Sequence, residues 1–152
     1  MSNAVLDNLE RIAEELSKKT AKAGWFSSAV YPENGQQAAY IATIHEFGDT
    51  AHNIPPRPFI RPTIATKKAE WASIVTGLFR QGIATNTLPD VLEVIGLTME
   101  GDIRQAIADV VSPPLQPSTL KARKRRGNNN DKPLNDTGYM IASLTSVVSE
   151  RE

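Results

Sequence analysis

Apolar residues recur at helical spacing over most of this chain, interrupted by two short strand-like runs. Val5, Leu9, Ile12 and Leu16 recur at intervals of four, three and four, which predicts a first amphipathic helix ending at Gly24. Its polar face sets Glu14 before Lys18 and Glu15 before Lys19, the favourable orientation for pairs one turn apart. Trp25 to Tyr31 (WFSSAVY) is rich in aromatic and β-branched residues and reads as a strand, closed by the turn sequence Pro32-Glu33-Asn34-Gly35. Helical spacing returns from Gln37 to Phe47 through Tyr40, Ile41 and Ile44, with Gly48 as the natural terminating residue.

The pattern then breaks at Pro55-Pro56-Arg57-Pro58-Phe59-Ile60-Arg61-Pro62. Each proline fixes φ and removes a backbone donor, so this segment can neither extend a helix nor enter the middle of a sheet. It reads as a stiff strap that pins Phe59 and Ile60 to a core and presents Arg57 and Arg61 beside them. Pro62 suits the first turn of the next helix, where Trp71, Ile74, Val75, Leu78 and Phe79 mark one face and Gly82 the expected end. Thr87 with Asp90 forms a weak capping box for a long helix running through Leu88, Leu92, Ile95, Met99, Ile103 and Ala106 to about Val111. Gly96 and Gly101 inside it point to close packing against a neighbour. Ser112 to Pro117 stops that helix, and Ser118 to Arg126 is compatible with a short basic one. Gly127 to Asp131 reads as mobile, Asn135 or Asp136 as the cap of a last short helix through Tyr139, Met140 and Leu144, and Thr145 to Ser149 as a closing strand. The Trp25–Tyr31 and Thr145–Ser149 strands are expected to pair and to leave an edge open to a neighbour's strand. The chain reads as one domain, 1–152, with a mobile basic loop around 121–133.

Composition narrows the function classes. Seventeen lysines and arginines balance seventeen aspartates and glutamates, so the chain as a whole is not built to coat nucleic acid or an anionic membrane. The absence of cysteine excludes disulfides, thiolate metal sites and cysteine nucleophiles. The N-terminal stretch carries Asp7, Glu10, Glu14 and Glu15 and has no apolar core of a secretory signal, and no apolar run reaches membrane-spanning length; a soluble protein made in a cytoplasm is expected.

Motifs of catalysis are weak. His45-Glu46 would need a second histidine at position 49 to make a helical zinc-protease motif, and that position is Asp49. His45 and Glu46 therefore read as partly exposed helix residues. There is no nucleophile elbow and no phosphate-binding glycine loop, and the carboxylate pairs Asp90 with Glu93 and Asp102 with Asp109 read as solvated helix faces. Trp71 and Phe79 read as core anchors. Lys121, Arg123, Lys124, Arg125 and Arg126 form the one concentrated charge cluster, read either as a contact for DNA or an acidic partner or as a solvated helix flank. Arg57 and Arg61, on either side of Phe59, fit a subunit contact and equally fit the capping of helix carbonyls within the fold.

The stretch IATIHEFGDTAHNIPPRPFIRPTI resembles the signature of small tail-associated morphogenesis proteins of tailed bacteriophages, in which an A-x-I-x-E-F-G run, a polar loop and IPxRPFxRP precede a long helix. PLQPSTLKARKRRGNNNDKPLNDTGYMIASLTSVV resembles the ending of the same group, with Met140 where leucine is commoner and Leu144 where isoleucine is. The resemblance implies an α+β fold, a small antiparallel β-sheet packed against one or two long α-helices with additional short helices. It also implies a non-enzymatic structural protein of a phage or prophage tail, in tail completion, head–tail joining or a minor tail role. Such a protein has no catalytic residues, cofactor, metal or small-molecule substrate. Its expected partners are copies of itself in a ring and other tail or connector proteins, with Arg57, Phe59 and Arg61 as candidate subunit contacts. The basic cluster would touch a neighbouring subunit or, transiently, DNA. Assembly would take place in a bacterial cytoplasm and end in the virion. The alternative is a small phage-encoded hydrolase or a DNA-binding accessory protein.

Overall fold

The computed structural model describes residues 3–85 and 90–151. Their order is α1 (Asn3–Ser17), β1 (Lys19–Gly24), α2 (Ala38–Phe47), α3 (Ile60–Thr85), α4 (Val91–Asp109), α5 (Pro117–Arg125), α6 (Tyr139–Ala142) and β2 (Thr145–Glu150). The fold is α+β: β1 and β2 pair antiparallel from Lys19 opposite Glu150 to Gly24 opposite Thr145, and this two-stranded sheet packs on α4, which also carries α3.

The sheet differs from the sequence expectation in its first strand. Trp25–Tyr31 is not a strand; the partner of β2 is Lys19–Gly24, and α1 stops at Ser17 instead of running to Gly24. The apolar richness of Trp25–Tyr31 has another cause. Trp25 packs on the core, its ring edge against Phe59 at 5.9 Å, and donates Nε1–H to the carbonyl of Met140 at 2.7 Å. Tyr31 opens a turn that receives Gly35 N–H, and only Val30 bridges back, to Gln37. Lys19–Gly24 (KTAKAG) has little intrinsic strand preference and is extended because β2 pairs with it. With Lys19 in the sheet, Glu15 pairs with Arg11 instead, while the Glu14–Lys18 pair forms as expected.

The core is built by Ala42, Phe59, Ile103, Ile107, Leu134, Met140 and Leu144, so α2, the strap, α4 and the C-terminal segment meet in one cluster. Leu144 lies beyond α6 and is fully buried. Gly96 is where α4 meets the sheet: a Cβ there would stand 3.3 Å from Cβ of Ser146. Gly101 has no such neighbour, so its place in the helix has no packing cause. α3 runs past Gly82, which is buried within it, to Thr85, and α4 ends at Asp109, short of Val111. Thr87 and Leu88 lie outside the described residues. Asp90 caps α4, accepting from Glu93 N–H at 3.1 Å. At α6 the cap residue is Gly138, with φ of 79°, and neither Asn135 nor Asp136 serves; Thr137 Oγ1 accepts from Tyr139 N–H.

Trp71 and Phe79 are half-buried and outside the main cluster. Trp71 instead ties α3 to α4 by donating Nε1–H to Asp102 Oδ2 at 2.7 Å, so Asp102 is not a merely solvated carboxylate. Trp71→Phe removes a hydrogen bond to a charged acceptor and is expected to cost about 1.5 kcal/mol. Urea unfolding followed by the fluorescence of Trp25 measures it.

Candidate functional site: the strap and the cleft beside it

Gly48 is the pivot of the strap. It ends α2 with φ of 77°, and an added Cβ would stand 2.8 Å from Pro56 N and 2.9 Å from the Ile54 carbonyl oxygen. Only glycine supplies both the left-handed φ and the room for the returning chain. The loop between them is closed by reciprocal hydrogen bonds of Asp49 and Ile54, and Arg57 N–H then bonds the His45 carbonyl at 2.7 Å.

Glu46, at the end of α2, organises the strap and the start of α3. The residue is 2% exposed, against the expectation of a partly exposed helix residue. Oε2 accepts from Phe59 N–H at 2.8 Å and Ile60 N–H at 2.9 Å; Oε1 accepts from Arg61 N–H at 3.1 Å and Arg61 Nε–H at 2.9 Å. These amides open α3, where free N–H groups and the helix dipole favour an anion. One carboxylate, distant in sequence, caps the longest helix and fixes the strap to α2. Burial pushes its pKa up, but the bonds from Ile60, Phe59 and Arg61 together outweigh burial and hold it below the usual glutamate range.

The candidate subunit contacts separate. Arg57 is 4% exposed and Phe59 1%, so neither is a surface residue. Arg57 donates Nε–H to the Pro113 carbonyl at 2.7 Å and Nη2–H to the Pro114 carbonyl at 3.0 Å, tying the strap to the segment after α4. The role of Arg57 is intramolecular, but the carbonyls it holds belong to the segment after α4 and not to a helix end. Arg61 caps the end of α2: it binds Glu46, donates to the Glu46 carbonyl, and lies over the exposed Phe47 ring at 4.6 Å from its centroid. Arg61 is therefore the strap arginine left at the surface.

The basic cluster separates in the same way. Arg123 is buried, its Nη1 donating to the carbonyls of Asn130, Lys132 and Asn135. Arg126 pairs with Asp136 at 2.9 Å, and Asn128 also bonds Asp136. The segment expected as a basic loop is thus helical through Arg125, and the loop after it is tied down by Arg123 and Asp136. Lys121, Lys124 and Arg125 are exposed, and their side chains have no hydrogen bond or ion pair among the described residues.

Between the strap and this loop lies an open cleft of about 410 Å³, walled by His45, Arg57, Arg123, Arg126, Tyr31 and Tyr139. Glu33 and Asp136 also line it, and its electrostatics are cationic around His45. Burial first, then the Arg57 and Arg123 guanidiniums, lower the His45 pKa from 6.5 to about 4, and Nδ1 of that ring is buried without a hydrogen-bond partner among the described residues. Burial, then Arg123, also lowers the pKa of Arg57. The unfolded chain therefore binds a proton at His45 that the folded chain resists. Stability is expected to rise with pH between about 4 and 6.5 and to level off above. His45→Gln is expected to flatten that slope, as denaturation midpoints measured across this pH range would show.

Sequence reasoning missed Glu46 as the residue that holds the strap. The signal was present: a glutamate placed so that it faces the amides of a proline-led helix start. Among the described residues no cluster of three His, Asp or Glu side chains is arranged to hold a metal ion, and no helix is long and apolar enough to cross a membrane. Compared with family models, with curated proteins and with solved structures, the chain has no match.

Proposed function

We propose that this protein is a non-enzymatic structural component of a phage or prophage tail, in tail completion, head–tail joining or a minor tail role, that assembles into a ring. The observation that carries the reading is the use made of the signature residues. Glu46, Gly48, Arg57, Phe59, Arg61 and Pro62 are spent on one mechanical joint: a cap, a crossing, a core anchor and a helix start. A motif with that chemistry maintains a shape for partners. Exposed Phe47 under Arg61, with Tyr40 exposed on the same helix, supplies the aromatic and arginine surface that interfaces favour. Electron microscopy of the purified protein, with light scattering across concentration, tests the reading. Rings of defined symmetry are expected, and a persistent monomer tells against assembly into a ring.

A second reading, transient contact with DNA, is favoured by the three exposed cations of α5. Replacing Lys121, Lys124 and Arg125 by serine is expected to leave stability within about 0.5 kcal/mol of the parent. The same change should weaken duplex binding and lower its salt slope by roughly 0.9 per cation. If the parent shows no salt-dependent duplex binding, the DNA contact falls away.

A further inference from the structure

The sheet has two strands and so two open edges among the described residues. The ladder extends to Arg151 N–H bonding the Lys18 carbonyl at 2.6 Å, which fixes its alternation. In an antiparallel pair, hydrogen-bonded and non-hydrogen-bonded positions alternate, so Thr20 with Ser149 and Lys22 with Val147 bond each other. The backbone groups of Lys19, Ala21 and Ala23 on β1, and of Ser146, Val148 and Glu150 on β2, therefore point outward.

Edges are normally blunted by proline, lysine, a bulge or a covering element. β2, Thr-Ser-Val-Val-Ser-Glu, has no proline or lysine and keeps an unbroken register over six pairs. Beside it lies a groove of about 250 Å³ between β2 and the first turns of α4, floored by Gly96 and bordered by Leu97, Val147 and Val148. Leu97 is 55% exposed, and Asp90 and Glu93 stand at the groove's acidic end. An occupant of the β2 edge must be extended and carry positive charge toward the groove's acidic end.

β1 of this chain has that character. Its sequence is Lys-Thr-Ala-Lys-Ala-Gly, it holds no acidic residue, and Lys19 and Lys22 are exposed. Ala21 lies on the α4 side of the sheet, 3.9 Å from where a Cβ on Gly96 would be, and Ala23, two residues on, packs against the core, so β1 offers a neighbour its outward backbone groups and its lysines. We propose that the free edge of β2 in one copy receives the free edge of β1 in the next. The pairing is antiparallel, through the outward backbone groups of the two edges, with Lys19 toward Asp90, Glu93 and Glu150. The sheet then continues β1–β2–β1–β2 through successive copies. The two edges are different surfaces, so the contact is head-to-tail and generates a ring when its rotation closes. This interface rests on the proposed ring and specifies how its subunits join.

The outward direction of Val148 N–H allows a selective test. Val148→Pro removes that donor while leaving every β1–β2 hydrogen bond of the monomer in place. Val148→Lys is a second variant that places a charge on the edge without altering the backbone. Both are expected to keep the parent's circular dichroism and to weaken assembly by about tenfold or more. The chain has no cysteine, so a mixture of separately prepared Lys19→Cys and Glu150→Cys proteins can form the mixed disulfide only between copies. Oxidation of the mixture is expected to give the mixed dimer in preference to either homodimer. Rings formed equally well by parent, Val148→Pro and Val148→Lys, with no mixed dimer, overturn the strand-edge interface and leave the ring standing. A parent that forms no ring, in a mixture that gives no mixed dimer, overturns both.

Discussion

Glu46→Ala is expected to lower the unfolding free energy by roughly 3 kcal/mol, because it orphans the Phe59, Ile60 and Arg61 amides at the start of α3 together with the Arg61 guanidinium. The amides lie where chain packing limits access to water, whereas Arg61 is largely exposed and recovers hydration; the cost therefore falls mainly on the backbone. Glu46→Gln retains an acceptor oxygen and should cost about half as much. The two variants also separate the charge from the hydrogen bonds. The folded-state pKa of Glu46 is depressed, so its contribution is fully present above the ordinary glutamate value of 4.5 and is lost as pH falls through the lower folded value. The parent should lose stability in that acid range and Glu46→Gln should lose less, a window below the one in which His45 acts. Chemical denaturation at a series of pH values measures both. Amide exchange at Ile60 and Arg61 should quicken in Glu46→Ala, which a general loss of stability alone would not localise to the first turn of α3.

Phe59→Ala is expected to cost about 4 kcal/mol, within the usual range for emptying a buried phenylalanine site. Phe59 is among the largest fully buried side chains, stands edge-on to Trp25, and joins residues of α2, α4 and the C-terminal segment in one cluster. Its neighbours come from separate elements, each held by its own hydrogen bonds, so the site has little freedom to collapse. Against a total stability of about 5–15 kcal/mol for a domain, that loss removes much of the margin. Phe59→Leu should cost less than about 1.5 kcal/mol, since volume is largely kept. Thermal melts give the stabilities, and loss of the Trp25 near-ultraviolet signal in Phe59→Ala would report the opened ring contact.

α2 and α4 were legible because their apolar residues recur at a period the core enforces, whereas the described residues of the α1 and α3 stripes are only half-buried and lie outside the main cluster. The ends of α2 and the stop after α4 were legible because Gly48 and the prolines act through local sterics. The first strand was not, since Lys19–Gly24 is extended by its partner and not by its own side chains, while Trp25 and Tyr31 are apolar for the sake of the core. At the strap, sequence placed Phe59 and Ile60 correctly against the core but could not choose between roles for Arg57. That choice depended on the Pro113 and Pro114 carbonyls, which sequence separates widely from it and the fold brings within hydrogen-bond reach. The basic cluster likewise looked uniform along the chain, and only the loop folding back over α5 divides Arg123 and Arg126 from Lys121, Lys124 and Arg125.

The pairing of β1 with β2 joins two segments that lie almost the whole described chain apart. On a ribosome, β1 emerges early and its partner late, so the sheet cannot close until nearly all of these residues have been made. The bonds of Glu46 to the start of α3 and the loop closed by Asp49 and Ile54 are local and can form while synthesis continues. Throughout that interval β1 lacks its strand partner. The order of synthesis therefore favours closing the sheet within one chain before any copy offers a completed edge to another.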